Sequence, residues 1–252
     1  MQEPTIPWLE AGAVFPPAER ALGPDSDAPG LVAAGGRLDV RSLHAAYSHG
    51  IFPWYSDGQP ILWWSPDPRM VLQVDQFRLH PSMRKTLRRF VRSPQCEIRI
   101  DSDFARVIAH CASHPRDGGG GTWIVADMQL AYRQLHRAGL AHSVETWVDG
   151  ELVGGLYCVA IGQAVFGESM FSQVRDASKI ALSALVAFCR AHGIRAIDCQ
   201  QNTRHLASLG AAEMPRAAFV QHCQRAIALP APQWEFEPLY WRQLLPDRDA
   251  NQ

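Results

Sequence analysis

Lysine is nearly missing from this chain: two of its 24 basic residues are Lys and the rest are Arg. The planar Arg fork suits phosphate, but the composition of a source genome explains such a bias as well, so it carries little weight. Paired cysteines are missing too. The six Cys stand at 96, 111, 158, 189, 199 and 223 with no CxxC among them. That spacing excludes a disulfide framework or a zinc site and fits reduced thiols in a cytoplasm. No run approaches the ~18 apolar residues of a membrane helix, so no membrane partner is expected. The opening MQEPTIPWLEAGAVFPP has no basic stretch followed by an apolar one, so no secretory signal is expected. GxSxG, HExxH and Walker A motifs are absent and the 10 His show no ligand spacing, which leaves no metal site to expect. With a net charge of -1, the chain is not a globally basic nucleic-acid coat.

What is present is enough apolar material for a good core, 47% of 252 residues, in one large domain or a domain with an appendage. Residues 1–67 are rich in Pro, Gly and Trp and read as a small irregular domain held by aromatic packing. One helix is expected there, from about Asp39 as cap to Gly50, with Leu43, Ala46 and Tyr47 on one face. Regular elements follow in 68–252. MVLQVDQF (70–77) alternates as a strand and SMRKTLRRFVR (82–92) fits a helix. A strand at 96–101 and helices at 103–112 and 127–139 come next. The Asp-Gly at 149–150 marks a hairpin, and a second turn near Gly162 leads into AVFGES. A helix over 177–192, the strand AIDCQ (196–200) and helices at 203–210 and 219–229 complete the chain. This order predicts an α+β fold around one mixed, mostly antiparallel sheet flanked by helices, with a parallel crossover from AVFGES to AIDCQ. Such a crossover sets two strand ends side by side, where ligand crevices form.

Three features point to chemistry. First, Glu168 lies within VFGESMFS (165–172), where a charge costs several kcal/mol unless paired. It is a structural ion-pair partner, a base, or the wall of a pocket for a cation. Phe166, Glu168 and Met170 share a face if the strand is regular, and a bulge at Gly167 is the alternative. Second, Asp198 and Gln200 stand two apart on a strand, hence on one side, and converge with Glu168 unless Asp198 is merely paired at a strand end. Cys199 alternates to the other face and reads as a buried structural thiol. Third, Arg84, Lys85, Arg88, Arg89 and Arg92 share a helix with no acid. Helices built for stability alone interleave acids, so a phosphate-tracking surface competes with a plain solvated face. FPWYSDGQPILWWS (52–65) adds three Trp, for a core or for stacking on a base.

LVAAGGRLDVRSLHAAYSHGIFPWYSDGQPILWWSPDPRMVL (31–72), GTWI (121–124), AYRQLHRAGLAHSVETW (131–147), LVGGLYCVAIG (152–162), FGESMFS (166–172), ASKIAL (177–182) and IDCQQNTRHLASLGA (197–211) together resemble the leucyl/phenylalanyl-tRNA–protein transferases of bacteria. The resemblance runs from about residue 13 to 245. It implies a GNAT-like C-terminal domain. It also implies transfer of Leu or Phe, less readily Met, from aminoacyl-tRNA to the α-amine of proteins beginning with Arg or Lys, in the N-degron pathway. An activated ester needs no cofactor. Carried onto this chain, the resemblance implies Asp198 as polariser or base, Gln200 as hydrogen-bond partner of the reacting centre, and Glu168 as a buried anion facing the amine. Trp123, Phe166 and Met170 would wall the side-chain pocket and Trp54 its rim or the terminal adenosine. The five basic residues of 84–92 would hold tRNA phosphates. A cytoplasmic monomer is expected. A CoA-dependent acyltransferase is disfavoured because SMFSQVRDASK (169–179) lacks the glycines that cradle pyrophosphate. A pure RNA-binding module is disfavoured by the Asp198–Gln200 strand end.

Overall fold

The computed structural model describes residues 6–113 and 124–246. Its strands are β1 (Trp8–Leu9), β2 (Leu31–Gly35), β3 (Phe52–Pro53), β4 (Leu62–Trp64), β5 (Arg69–Gln73), β6 (Cys96–Ile100), β7 (Ala141–Val148), β8 (Glu151–Ile161), β9 (Ala164–Ser172), β10 (Ala196–Gln200) and β11 (Ala212–Met214). Its helices are α1 (Val40–Ser48), α2 (Pro81–Arg92), α3 (Phe104–Ser113), α4 (Ala126–Arg137), α5 (Ala177–Ala191), α6 (Arg204–Ser208) and α7 (Arg216–Ile227). Among the described residues no helix is long and apolar enough to cross a membrane.

Local chemistry explains the element ends. Asp39 caps α1 by accepting the Ser42 amide at 2.8 Å, and Gly50, at φ 70, turns the chain out of it. Asp149 and Gly150 both take positive φ in the hairpin joining β7 to β8, as an Asp-Gly turn requires. Two expectations need correction. The strand expected to run to residue 77 ends at Gln73 and gives way to a 3-10 turn over Val74–Gln76. The N-terminal stretch is not merely irregular: β1, β2, β4 and β3 form a four-stranded sheet. The strands β1, β3 and β4, of two or three residues, carry too few positions to show alternation, and β2 is buried along all of its length.

The large sheet has the order β11-β5-β10-β9-β8-β7-β6. Only β9 and β10 pair in parallel, joined through α5; every other neighbour is antiparallel. Alternate residues of β8 feed two cores. Tyr157 and Val159 join the one under α1, α3, α4 and α7, while Leu156 and Cys158 join the one under α2 and α5.

The parallel pair is short. Val165 faces Ile197 and Phe166 faces Asp198, and there the pairing stops although β9 continues to Ser172. The strands separate just where both are bulged. On β9, Gly167 pairs Cys158 and Ser169 pairs Tyr157, which leaves Glu168 as the extra residue. On β10, Asp198 pairs Val71 and Gln200 pairs Met70, which leaves Cys199 extra. An extra residue breaks the ladder and re-aims its side chain. Two bulges side by side open the sheet at this point.

Candidate active site

Glu168 projects from the β9 bulge into a ring of polar side chains. The Tyr47 hydroxyl of α1 donates to its Oε1 at 2.7 Å and the Tyr132 hydroxyl of α4 to its Oε2 at 3.2 Å. Gln200 Nε2 donates to Oε1 at 3.1 Å, and the two tyrosine hydroxyls lie 2.5 Å apart. Both tyrosines are fully buried. Among the described residues Glu168 has no ion pair. Burial pushes its carboxyl from an ordinary 4.5 up to about 7 and the nearby Asp198 charge adds to the rise, against the opposing hydrogen bonds. Burial, and the field of Glu168, raise both tyrosine hydroxyls well above their ordinary range.

Asp198 is the paired carboxylate. Arg69, at the start of β5, grips it with both tines of its fork: Nε to Oδ1 at 2.8 Å and Nη2 to Oδ2 at 2.6 Å. Asp198 is 2% exposed and Arg69 0%. The guanidinium is sandwiched between the Phe52 and Phe219 rings at 4.7 and 4.5 Å, and its Nη1 donates to the Gly50 carbonyl at 3.1 Å. The Gln200 amide also donates to Asp198 Oδ1, at 2.9 Å. That bond closes the bulge in which Gln200 adopts φ 62. Asp198 therefore shapes the backbone that aims Gln200, and both of its oxygens are engaged by the protein itself. The expected common face of Asp198 and Gln200 is lost to the bulge: Gln200 hydrogen-bonds Glu168, whereas Asp198 acts on it through its charge.

Two cavities meet at Glu168. One, of about 230 Å³, lies between the splayed strands and α5, walled by Leu156, Met170, Leu182, Leu185, Ile197 and Leu206. The other, of about 350 Å³, opens between Trp54 and Gln200, with Phe52 and Pro53 at its base. Both also touch Cys199, so this residue lines the crevice instead of turning away. Burial pushes its thiol up to about 12, which removes it as a nucleophile. Met170 and Trp54 stand where a pocket wall and rim were expected. Trp54 is 39% exposed and meets Trp64 edge-on at 5.7 Å, whereas Trp63 is buried and donates to the Gly35 carbonyl. Phe166 is not in the cavity. The bulge puts it on the opposite face, buried against Tyr47 at 5.0 Å. Trp123 lies outside the described residues.

On α2, Lys85, Arg89 and Arg92 are exposed and Arg84 and Arg88 half-buried. No acid pairs with any of them among the described residues. Arg84 is partly committed, donating to the Leu244 carbonyl at 3.0 Å. A cavity of about 1030 Å³ between the small sheet and α4 has none of the expected site residues in its lining among the described residues. Sequence reasoning missed Tyr47, Tyr132 and Arg69. An Arg opening an apolar strand, RMVL, was a signal for a buried partner; the tyrosines gave none beyond their helix faces.

Comparison with known proteins identifies the family. The family model "Leucyl/phenylalanyl-tRNA protein transferase" matches residues 71–224, and the model of that family's N-terminal domain matches 36–67. Proteins named leucyl/phenylalanyl-tRNA–protein transferase are similar along nearly the whole length. The one from Albidiferax ferrireducens is 63% identical over 244 residues, 97% of this chain and 96% of its own. That from a Polaromonas species is 64% identical over 240 residues, 95% and 94% of the two chains. A solved GCN5-related N-acetyltransferase from Kribbella flavida aligns over 68% of this chain and 60% of its own, at 8% identity and a TM-score of 0.36. The polypeptide, with a carboxylate free of any ion pair among the described residues at the splayed strands and an apolar cavity beside it, belongs to the leucyl/phenylalanyl-tRNA–protein transferase family of aminoacyltransferases.

Proposed function

We propose that this enzyme moves Leu or Phe, less readily Met, from aminoacyl-tRNA to the α-amine of proteins beginning with Arg or Lys. It would act as a cytoplasmic monomer that marks those proteins for the bacterial N-degron pathway. The observation that carries the reading is the apolar cavity of about 230 Å³ with Glu168 on its wall. A Leu or Phe side chain enters the cavity, so its ester lies at the mouth beside Glu168 and Gln200. Trp54 offers the exposed ring on which the terminal base stacks. The small Trp-rich domain of residues 1–67 supplies this rim to the catalytic domain of 68–252.

The acceptor nitrogen attacks the ester carbonyl carbon, the carbonyl becomes an oxyanion, and the carbon–oxygen bond to the ribose breaks. The amine must first lose a proton; free α-amines have pKa near ~8. A carboxyl at about 7 is matched to take it. We assign that step to ionised Glu168, which Tyr47 and Tyr132 hold ready by donating to it and which becomes a neutral carboxyl on taking the proton. Gln200 hydrogen-bonds the reacting centre, and Asp198, with Arg69, is a positioning residue. Bonding to the carbon leaves the nitrogen cationic; it gives up a second proton, the ribose oxygen leaves carrying one, and the ester's stored energy drives the step without a cofactor. An apolar pocket discriminates by only ~1–3 kcal/mol per methylene, which is why some Met transfer is expected. The direct test incubates purified protein with Phe-tRNA and an Arg-started peptide. Formation of Phe-Arg-peptide without CoA or ATP is expected, and absence of product with Leu-, Phe- and Met-tRNA alike would overturn the reading.

A further inference from the structure

Beside the apolar cavity lies a second recess, of about 390 Å³, between the start of α2 and the start of α5. Arg89 of α2 and Arg175 and Lys179 at the α5 end all line it, with His80 and His205 at its edges. The one carboxylate there, Asp176, lies 3.1 Å from Lys179 and 3.6 Å from Arg175. Three fixed cations thus face one anion, and Arg89 has no carboxylate partner among the described residues. Burial and the Lys179 charge lower the His205 pKa, as expected where the local field is positive. Ser82 and Thr86 place hydroxyls on the same wall. Convergent cations with neighbouring hydroxyl donors suit a phosphodiester oxygen.

Position decides which phosphate. His205 lines this recess and the apolar cavity alike. His205 belongs to α6, and a helix with its side chains is ~10 Å across. RNA joined to an aminoacyl group in the cavity is therefore within reach of the recess across α6. We propose that this recess binds a phosphate of the single-stranded 3′ end of the donor RNA, through Arg175, Lys179 and Arg89. The proposal rests on the donor assigned under Proposed function. It adds an anchor at the start of α5 that shares only Arg89 with the cations of α2.

The side chain of Arg175 is 95% exposed, so Arg175→Glu tests the site without threatening the fold, and Lys179→Gln serves as a second variant. Binding of an uncharged RNA ending in CCA is read by fluorescence anisotropy across a salt series. Arg175→Glu is expected to weaken it ~10-fold and to reduce the salt slope by ~1. Unchanged binding in both variants overturns the proposal whether or not the protein transfers an amino acid. In the transfer assay, KM for Phe-tRNA is expected to rise ~10-fold at unchanged kcat. Transfer from phenylalanyl-adenosine, which has no phosphate, should stay as in the wild type. Equal losses with both donors point to a structural effect and also overturn it. Wild-type protein that binds the RNA through these residues but transfers nothing refutes the functional reading alone.

Discussion

Half-buried Glu168 and buried Asp198 are both acids at the strand opening, yet the fold has given them opposite states. Asp198 meets a guanidinium that neutralises it, while Glu168 meets only hydroxyls and an amide. The difference makes separate predictions. Below its ordinary 4.5, Glu168 is neutral in both folded and unfolded chains. As pH rises toward about 7 the unfolded chain ionises first, so the group draws stability away from the fold and the loss is complete above that pH. Glu168→Gln should therefore raise Tm by a few °C at pH 8 and hardly change it at pH 4.5, while lowering kcat by ~10². The wild-type pH profile of kcat/KM should show two ionisations on its acid side, Glu168 and the acceptor amine; the Gln variant should keep only the amine. A Tm lowered at pH 8 would mean that Glu168 stabilises the fold as an anion. Asp198→Ala is expected to behave in the other way. Stripping a buried Arg69 of its partner costs ~3–5 kcal/mol, so thermal unfolding should fall by roughly 10 °C. A variant with wild-type Tm but no turnover would return the base role to Asp198.

At the scale of elements, the β9–α5–β10 crossover was legible because each part has a strong local signature: an apolar strand, a helix with Ile180, Ala184 and Phe188 on its buried side, and a Gly at its end. The cap of α1 was legible for the same reason. The bulges were not, because reading faces from a strand assumes a period of two. One extra residue at 168 and another at 199 shift every later side chain. That shift parts Phe166 from Met170 and brings Cys199 into the crevice. Gly167 marks the place: a Cβ there would sit 3.3 Å from the Asp198 carbonyl oxygen, so the strands approach closely just before they part. The basic helix was legible as charge, but its commitment of Arg84 to Leu244 was not, since the partner carbonyl is 160 residues away. For this reason a test of α2 should use its freely exposed cations. Lys85→Glu combined with Arg92→Glu should weaken tRNA binding and flatten log Kd against log salt by ~2. An unchanged slope would assign α2 to solvent alone.

At the scale of the molecule, the Trp-rich beginning of the chain and the large sheet are distinct in sequence character but share one core. Leu43, Tyr47 and Trp63 belong to the same buried cluster as Tyr132, Phe166 and Phe219. Two polar links reinforce it: Tyr47 donates to Glu168, and Arg69 donates to the Gly50 carbonyl. The charged pair that shapes Gln200 is thus anchored on the end of α1, and the ring around Glu168 is incomplete without that helix. A change of composition near residue 67 therefore does not mark a line along which the protein can be cut. Removing residues 1–67 would uncover Phe166 and Phe219 and leave the Arg69 Nη1 without its acceptor. Burial is worth ~25 cal/mol per Å² of apolar surface, so exposing aromatic rings of this size costs several kcal/mol, a large part of the 5–15 kcal/mol that holds a domain together. The fragment 68–252 is accordingly expected to lose its cooperative thermal transition and all transfer activity, as followed by calorimetry and peptide labelling. Tyr47→Phe separates the two causes. It keeps the packing, so Tm should stay within a few °C of wild type. It removes one donor from Glu168, so the carboxyl should titrate higher and the acid limb of the rate profile should move up in pH. A fragment that unfolds cooperatively near the wild-type Tm would show instead that the two parts are energetically independent, with α1 contributing only its tyrosine to the site.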